Sequence, residues 1–245
     1  MKIVFLGTNG WFDTQTGNTV CILVETNHEY LILDAGNGFY KIDGHIQTSK
    51  PIYLFLSHLH LDHVVGLHIM NKFSFSQGID LYGPPGSKKH LRTLIKQPFT
   101  ANLAALNTPL RLHDLGADPP PAFLLEWKKL VHVSPCYGYR FRLEDKLLVY
   151  CTDTGPCRNL SLLARGADLL ITECAYKGNE NYKWPHLNPL LAAEVARDAG
   201  AHRLALLHFD ASLYTTLQDR QEAQRKARKI FKNTVAVRDG QVIEL

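Results

Sequence analysis

The segment SHLHLDH, from Ser57 to His63, places three histidines and an aspartate within six positions, directly after the apolar run PIYLFL. Imidazole and carboxylate are borderline-hard ligands suited to zinc, manganese or iron, and spacing this tight makes shared coordination easy. His58 and His60 stand two apart in an extended segment and point to the same side. Asp62 and His63 follow after a one-residue turn and can face a second centre beside the first. A single histidine on an apolar face is more often a core residue than a ligand. Four ionisable groups at one strand end reverse that reading.

The same placement recurs along the chain. Apolar runs end in His58 (YLFLS), Asp153 (LLVYCT), Glu173 (DLLIT) and His208 (LALL). A strand buried on both faces has no partner for a charge in its middle, so ionisable groups gather where the strand leaves the sheet. Four strands thus aim candidate ligands at one sheet edge, where open α/β sheets carry their functional crevice. Strands are predicted at KIVFLG, VCILVE and YLILDAG, and helices at SKKHLRTLIKQ and NPLLAAEVARDAG. In the second helix Asn188 is the N-cap, Pro189 takes the first helical position and Gly200 is the stop. The stretch from Phe99 to Ala122 is the least regular and reads as a surface excursion.

Composition narrows the setting. At 245 residues the chain can bury a sizeable core, nothing in it requires a second domain, and no apolar run reaches the roughly 18 residues of a membrane span. The opening MKIVFLGTNGW runs straight into strand and turn signals and does not read as a signal peptide. Five cysteines without a CxxC pair suit a reducing cytosol, so a cytoplasmic protein is expected. The basic stretch from Arg220 to Lys232 reads as the solvated face of a C-terminal helix, with RNA as the anionic partner it would otherwise serve. His28, His45, His90, His113 and His202 read as solvated. His68, five residues beyond His63, reads as support behind the site or as packing. Oligomeric state stays open, a homodimer included.

With these motifs the sequence resembles the metallo-β-lactamase superfamily over nearly its whole length. FLGTNG, GNTVCILVE and LILDAGNG are similar to the superfamily's first strands, SHLHLDHVVGL to its metal motif, VHVSPCYGYRF to its third-histidine region, VYCTDTG to its bridging-aspartate motif and LLHFD to its last histidine. The resemblance implies one α/β domain over residues 1–245, a four-layer αββα sandwich, with two divalent metal ions, zinc first and manganese or iron as alternatives. It assigns His58, His60 and His132 to one metal, Asp62, His63 and His208 to the other, and Asp153 between them, with Asp34 supporting the site from behind. A hydroxide shared by the two metals would be the nucleophile, its pKa brought from 15.7 toward about 7, and Asp62 would be ligand and proton acceptor. The Asp-Thr-Gly of CTDTG also marks aspartic proteases, but that chemistry needs two such carboxylates and leaves the histidines unexplained.

Within the superfamily the likeness is to the phosphodiesterase branch: ribonuclease Z and the small cyclic-phosphate phosphodiesterase of phosphonate breakdown. DLLITECAY and WPHLNPLLAAEVARDAG carry it. It implies that His186 is a general acid, not a metal ligand, and that Glu173 orients it. A histidine near neutral pKa held by a carboxylate suits protonation of a leaving alkoxide. Glu173 satisfied only by backbone groups is the competing reading. Only twelve residues separate Arg140 from Asp153, enough for a strand, a turn at LEDK and another strand. The tRNA-binding arm of ribonuclease Z is therefore expected to be absent, and a small-molecule or short nucleic-acid phosphodiester becomes the expected substrate. Rival readings are a ribonuclease Z-like endoribonuclease, a thioester or lactone hydrolase of the same fold, and a metal-free scaffold. Tyr137, Tyr139 and Arg140 read as core residues or as substrate contacts.

Overall fold

The computed structural model describes residues 1–178, 180 and 184–245. Two mixed sheets face each other. The first orders its seven strands as Val242–Glu244, Lys2–Gly7, Cys21–Glu25, Tyr30–Leu33, Ile52–Phe55, Ile79–Gly83 and Leu110–Asp114. The second orders six: Thr234–Ala236, Leu204–Leu207, Leu169–Glu173, Lys146–Cys151, Tyr137–Leu143 and Leu124–Lys129. Antiparallel neighbours flank a parallel set in each, from Tyr30–Leu33 to Leu110–Asp114 in one and from Lys146–Cys151 to Thr234–Ala236 in the other.

Residues alternate sides along a strand. Ile3 and Phe5 therefore enter the core between the sheets, while Val4 and Leu6 pack outward. Both faces are covered, which is why these strands read as continuous apolar runs. Phe55 lies at the centre of the inter-sheet core, its ring centroid 5.4 Å from Tyr139 and 5.2 Å from Phe141. Outside the first sheet lie two 3₁₀ segments, Asn37–Gly44 and Val65–Lys72, and the helix Ser87–Leu94. Helices Arg158–Ala164, Pro189–Asp198 and Leu217–Arg228 cover the second through Leu160, Leu163, Ala192, Ala196, Ala223 and Ala227. The result is the four-layer αββα sandwich.

Local signals set the helix ends. Asn188 Oδ1 accepts from Leu190 N at 3.0 Å and Leu191 N at 3.1 Å, with Pro189 opening the helix. Thr216 and Asp219 form a reciprocal capping box ahead of the last helix. The stretch from Phe99 to Ala122 differs from its reading, because Leu110–Asp114 forms the edge strand of the first sheet, parallel to Ile79–Gly83. Leu110 and Leu112 pack there onto the outer core while Arg111 faces solvent. A half-buried edge strand between prolines carries too weak an apolar pattern to stand out.

The strands on either side of LEDK form a tight hairpin, Tyr137–Leu143 with Lys146–Cys151, and no protruding arm interrupts it. Its two central residues, Glu144 and Asp145, have φ of +49° and +63°. Left-handed backbone costs a residue with a Cβ roughly 1 kcal/mol or more, and Gly is preferred at the second position of such turns. Asp145→Gly should stabilise the protein by about 0.5–1 kcal/mol in urea unfolding with hydrolytic activity unchanged.

Candidate metal centre

The centre begins with a fully buried carboxylate. Asp34 follows Tyr30–Leu33, and its oxygens accept from Ser57 N at 2.7 Å, Ser57 Oγ at 2.7 Å, His63 Nδ1 at 2.7 Å and Tyr150 OH at 2.6 Å. One donor meets Oδ1 and three meet Oδ2. Two consequences follow for the histidines. His63 gives its Nδ1 proton to Asp34, so Nε2 faces the cleft. The Ser57 hydroxyl proton is also committed to Asp34, so His58 Nδ1, 3.0 Å from Ser57 Oγ, must be the donor in that pair. His58 Nε2 is then a buried lone pair, and it has no hydrogen-bond partner among the described residues.

Around these atoms the remaining groups converge. His60 Nδ1 lies 3.3 Å from His132 Nε2, with His60 Nε2 held 2.8 Å from Ser134 Oγ. His63 Nε2 lies 3.1 Å from His208 Nε2 and 3.2 Å from Asp153 Oδ2. Asp62 Oδ2 is 3.5 Å from His63 Nε2 and 3.4 Å from His208 Nε2. Potential ligand atoms within 4.8 Å of one another form the groups His58–His60–His132, His58–His63–Asp153 and Asp62–His63–His208. All seven residues nominated from the sequence thus meet at one place, and Asp153 lies between the two trios. Several ring nitrogens within about 3 Å of one another and of carboxylates, with buried ring nitrogens of His58, His132 and His208 left without a partner among the described residues, are the donor set of a divalent cation site.

Backbone geometry puts the groups there. Asp34, Asp153 and His208 each follow a strand and have φ of +57°, +48° and +50°. Non-glycine residues in this region carry strain that surrounding contacts must hold, and such strain gathers at functional sites. Gly10 leaves space for the His208 ring, since a Cβ there would stand 2.5 Å from its Cε1.

The charges divide the centre. Burial lowers the pKa of His58 well below the ordinary value and that of His132 to about 4, and it lowers His60 as well. These rings are neutral at pH 7, with lone pairs available. Burial also opposes charge on His63 and His208, but Asp62 and Asp153, with Asp34 behind His63, outweigh it and raise both. Burial would raise Asp62 and Asp153; the facing histidines outweigh it and hold both carboxyls well below the usual range. A cation bound at the second trio must displace protons, so its affinity rises with pH.

Glu173 is fully buried and bonds His186 as well as backbone groups. Oε1 accepts from Thr154 N at 2.5 Å and from His186 Nδ1 at 2.7 Å, and Oε2 accepts from Leu187 N at 3.1 Å and Ala175 N at 3.3 Å. Burial opposes the charged His186, and Glu173 outweighs it, raising the pKa to about 9. With Nδ1 committed, Nε2 has no hydrogen bond among the described residues, and His186 offers a ligand atom within 4.8 Å of those of His132 and Asp153.

Of the other expectations, the core reading of Tyr139 holds and several are corrected. His68 is exposed on the 3₁₀ segment Val65–Lys72 and bonds its own turn at Val65 O, so it does not back the site. Tyr139 is buried and donates to Leu56 O at 2.6 Å, and Arg140 Nη1 donates to Leu163 O and Arg165 O at 2.6 and 2.7 Å; neither reaches the centre. His113 is half-buried against Asp80 at 2.9 Å rather than free in solvent. The basic helix is not solvated along its whole length: Arg220 is 2% exposed. Its Nη1 donates to Thr8 Oγ1 at 2.7 Å and Val237 O at 3.3 Å, its Nη2 bonds Asn9 Oδ1, and its guanidinium lies 4.7 Å from the Phe209 ring centroid. It clamps the segment beside His208. Ser57, Tyr150, Ser134 and Arg220 escaped the sequence reading because they act through neighbours distant in the chain.

A sequence model of the β-lactamase superfamily domain matches residues 30–209. The chain belongs to this superfamily. It is a hydrolase of the metallo-β-lactamase fold, with a histidine–aspartate cluster suited to divalent metal. Among curated relatives, ribonuclease Z of Synechococcus sp. is 26% identical over 312 aligned positions, covering 98% of this chain and 96% of its own. Ribonuclease Z of Bacillus licheniformis is 26% identical, covering 98% and 97%. Among solved structures, the metallo-β-lactamase fold protein YhfI of Bacillus subtilis aligns with a TM-score of 0.81 at 23% identity, over 100% of this chain and 99% of its own. The short form of human tRNase Z aligns at 0.74 and 22%, over 100% and 99%, and a diphosphatase of the PhnP family at 0.73 and 17%, over 100% and 97%.

Asp34→Asn should weaken zinc binding about 10- to 100-fold in a chelator competition, because the partner that orients His63 loses its charge. Arg220→Met leaves the oxygens of Thr8 and Asn9 without their buried donor and should cost about 1–3 kcal/mol of stability, read from the urea midpoint.

Proposed function

We propose that this superfamily member is a dinuclear, divalent-metal-dependent phosphodiesterase acting on a small or short nucleotide or ribose phosphodiester. The observation that carries the reading is the pair His186–Glu173. The centre already has seven donors without His186, yet His186 stands beside His132 and Asp153 with its outer nitrogen unbonded among the described residues and its inner one fixed by a buried carboxylate. A positioned proton donor at the edge of a metal site suits a reaction whose leaving alkoxide must be protonated.

In this reading His58, His60 and His132 would hold one ion and Asp62, His63 and His208 the other, with Asp153 available between them. Zinc suits the donors, as do manganese and iron. Bound there, the ions supply charge stabilisation for an anionic substrate and a nucleophile at neutral pH. Asp62 would also accept the proton of the attacking water. His186 protonates the leaving oxygen, and Glu173 keeps its ring in place and charged.

The printed names of the relatives, ribonuclease Z and PhnP-family diphosphatase, support phosphate-ester chemistry. The tight hairpin Tyr137–Leu143 with Lys146–Cys151, and alignments of about 312 positions against a chain of 245 residues, support a substrate smaller than tRNA.

Reconstituted protein should hold about two equivalents of metal, and His186→Ala should lower kcat on a chromogenic phosphodiester by roughly 10² or more with metal content unchanged. One panel under one metal condition separates the rivals: a 2′,3′- or 1,2-cyclic ribose phosphate, the chromogenic diester, a precursor tRNA and a thioester. Turnover of the thioester alone, or a His186→Ala variant with unchanged kcat, would overturn the reading.

A further inference from the structure

Trp11 combines features that the metal chemistry does not use. Phe12 N donates to Gly10 O at 3.0 Å, closing a three-residue turn with Trp11 at its centre and φ of +74°. Turns of this hand are rare and strained, and a bulky side chain at the centre makes the conformation more costly. The strain is held at both ends. Trp11 N donates to Asp62 Oδ2 at 2.8 Å, so the turn is tied to the candidate centre itself. Asn9 Nδ2 bonds Phe12 O at 3.1 Å, Thr14 Oγ1 at 3.0 Å and Gly17 O at 2.9 Å, and the buried Arg220 anchors Asn9 from below. Asp13 fastens the outer side, accepting from Thr19 N at 2.6 Å and Asn37 Nδ2 at 2.7 Å.

This rigid loop leaves the indole 67% exposed, with the Phe12 ring edge-on at 5.2 Å. An apolar ring kept in solvent on a strained, heavily bonded turn adds nothing to the core. The backbone N–H of the same residue bonds Asp62, so the indole is carried on a residue that touches the candidate centre. A flat π-face beside a site for an anionic group is the pairing that proteins use to hold a nucleobase next to its phosphate.

We propose that Trp11 is a preformed stacking platform that selects substrates carrying a planar base beside the scissile phosphodiester. This names the substrate class of the site and rests on the phosphodiester reading above. Because the loop is already ordered, stacking sacrifices little conformational freedom.

Calorimetric titration of the metal-loaded protein with adenosine 5′-monophosphate and with ribose 5-phosphate tests it without turnover. The wild type should bind the nucleotide about 5- to 100-fold more tightly than the sugar phosphate. Trp11→Ala should abolish that preference while leaving ribose 5-phosphate affinity unchanged, and Trp11→Phe should keep most of it. Equal affinities in the wild type, no measurable nucleotide binding, or a preference that survives Trp11→Ala would overturn the proposal. So would a Trp11→Ala change in sedimentation with the preference intact, which would assign the indole to a subunit interface. Base preference in a protein that hydrolyses no phosphodiester would keep the platform and sink the catalytic reading.

Discussion

A carboxylate with no exposure to water must have its oxygens hydrogen-bonded, and Asp34 meets that requirement by drawing on both halves of the molecule. Ser57 comes from the end of the neighbouring strand, His63 from the short helix Leu61–Val64, and Tyr150 from the facing sheet. Satisfying one buried charge therefore fixes the distance between the sheets at the point where their strands end. It also decides which nitrogens of His58 and His63 face the cleft. The polarity of the centre is set one layer behind the atoms that would touch a ligand.

The two sides of the centre differ because their supports differ. His58, His60 and His132 have no carboxylate bonded to them, so burial, the largest influence on each, outweighs Asp153 and keeps them neutral. Asp62, His63, His208 and Asp153 form a block of opposite charges whose mutual attraction overcomes the cost of burial. Glu173 repeats the Asp34 arrangement on the other side, joining the turn after Asp153 to the loop that carries His186. Two buried carboxylates thus hold the cleft from opposite sides.

The loop from Asn9 to Gly17 adds a third support, built around a buried cation. Arg220 has no carboxylate paired with it among the described residues, and burial draws its pKa down to about 10. Oxygens of Thr8, Asn9 and Val237 and the face of Phe209 stand in for a counter-ion. The segment that carries His208 and the one that touches Asp62 through Trp11 are therefore locked to the C-terminal helix. A residue that reads as surface charge in the sequence is a structural pin.

The sequence alone determined the α/β class and, in SHLHLDH and at the strand ends, the candidate ligands His58, His60, Asp62, His63, Asp153 and His208, because burial on two faces forces continuous apolar runs and drives ionisable groups to where the strands end. The four-layer order and His132 were legible only through the family resemblance. His186 and Glu173 were also legible, through a resemblance carried by their motifs. Tertiary structure decided what depends on pairing across the chain: the roles of Tyr150 and Ser134, the edge strand Leu110–Asp114, the exposure of His68, the anchoring of Arg140 and the burial of Arg220. A side chain's type states which interactions it needs. Which neighbour meets the need, 116 positions away between Asp34 and Tyr150 or 211 between Asn9 and Arg220, is fixed only when the sheets close on each other.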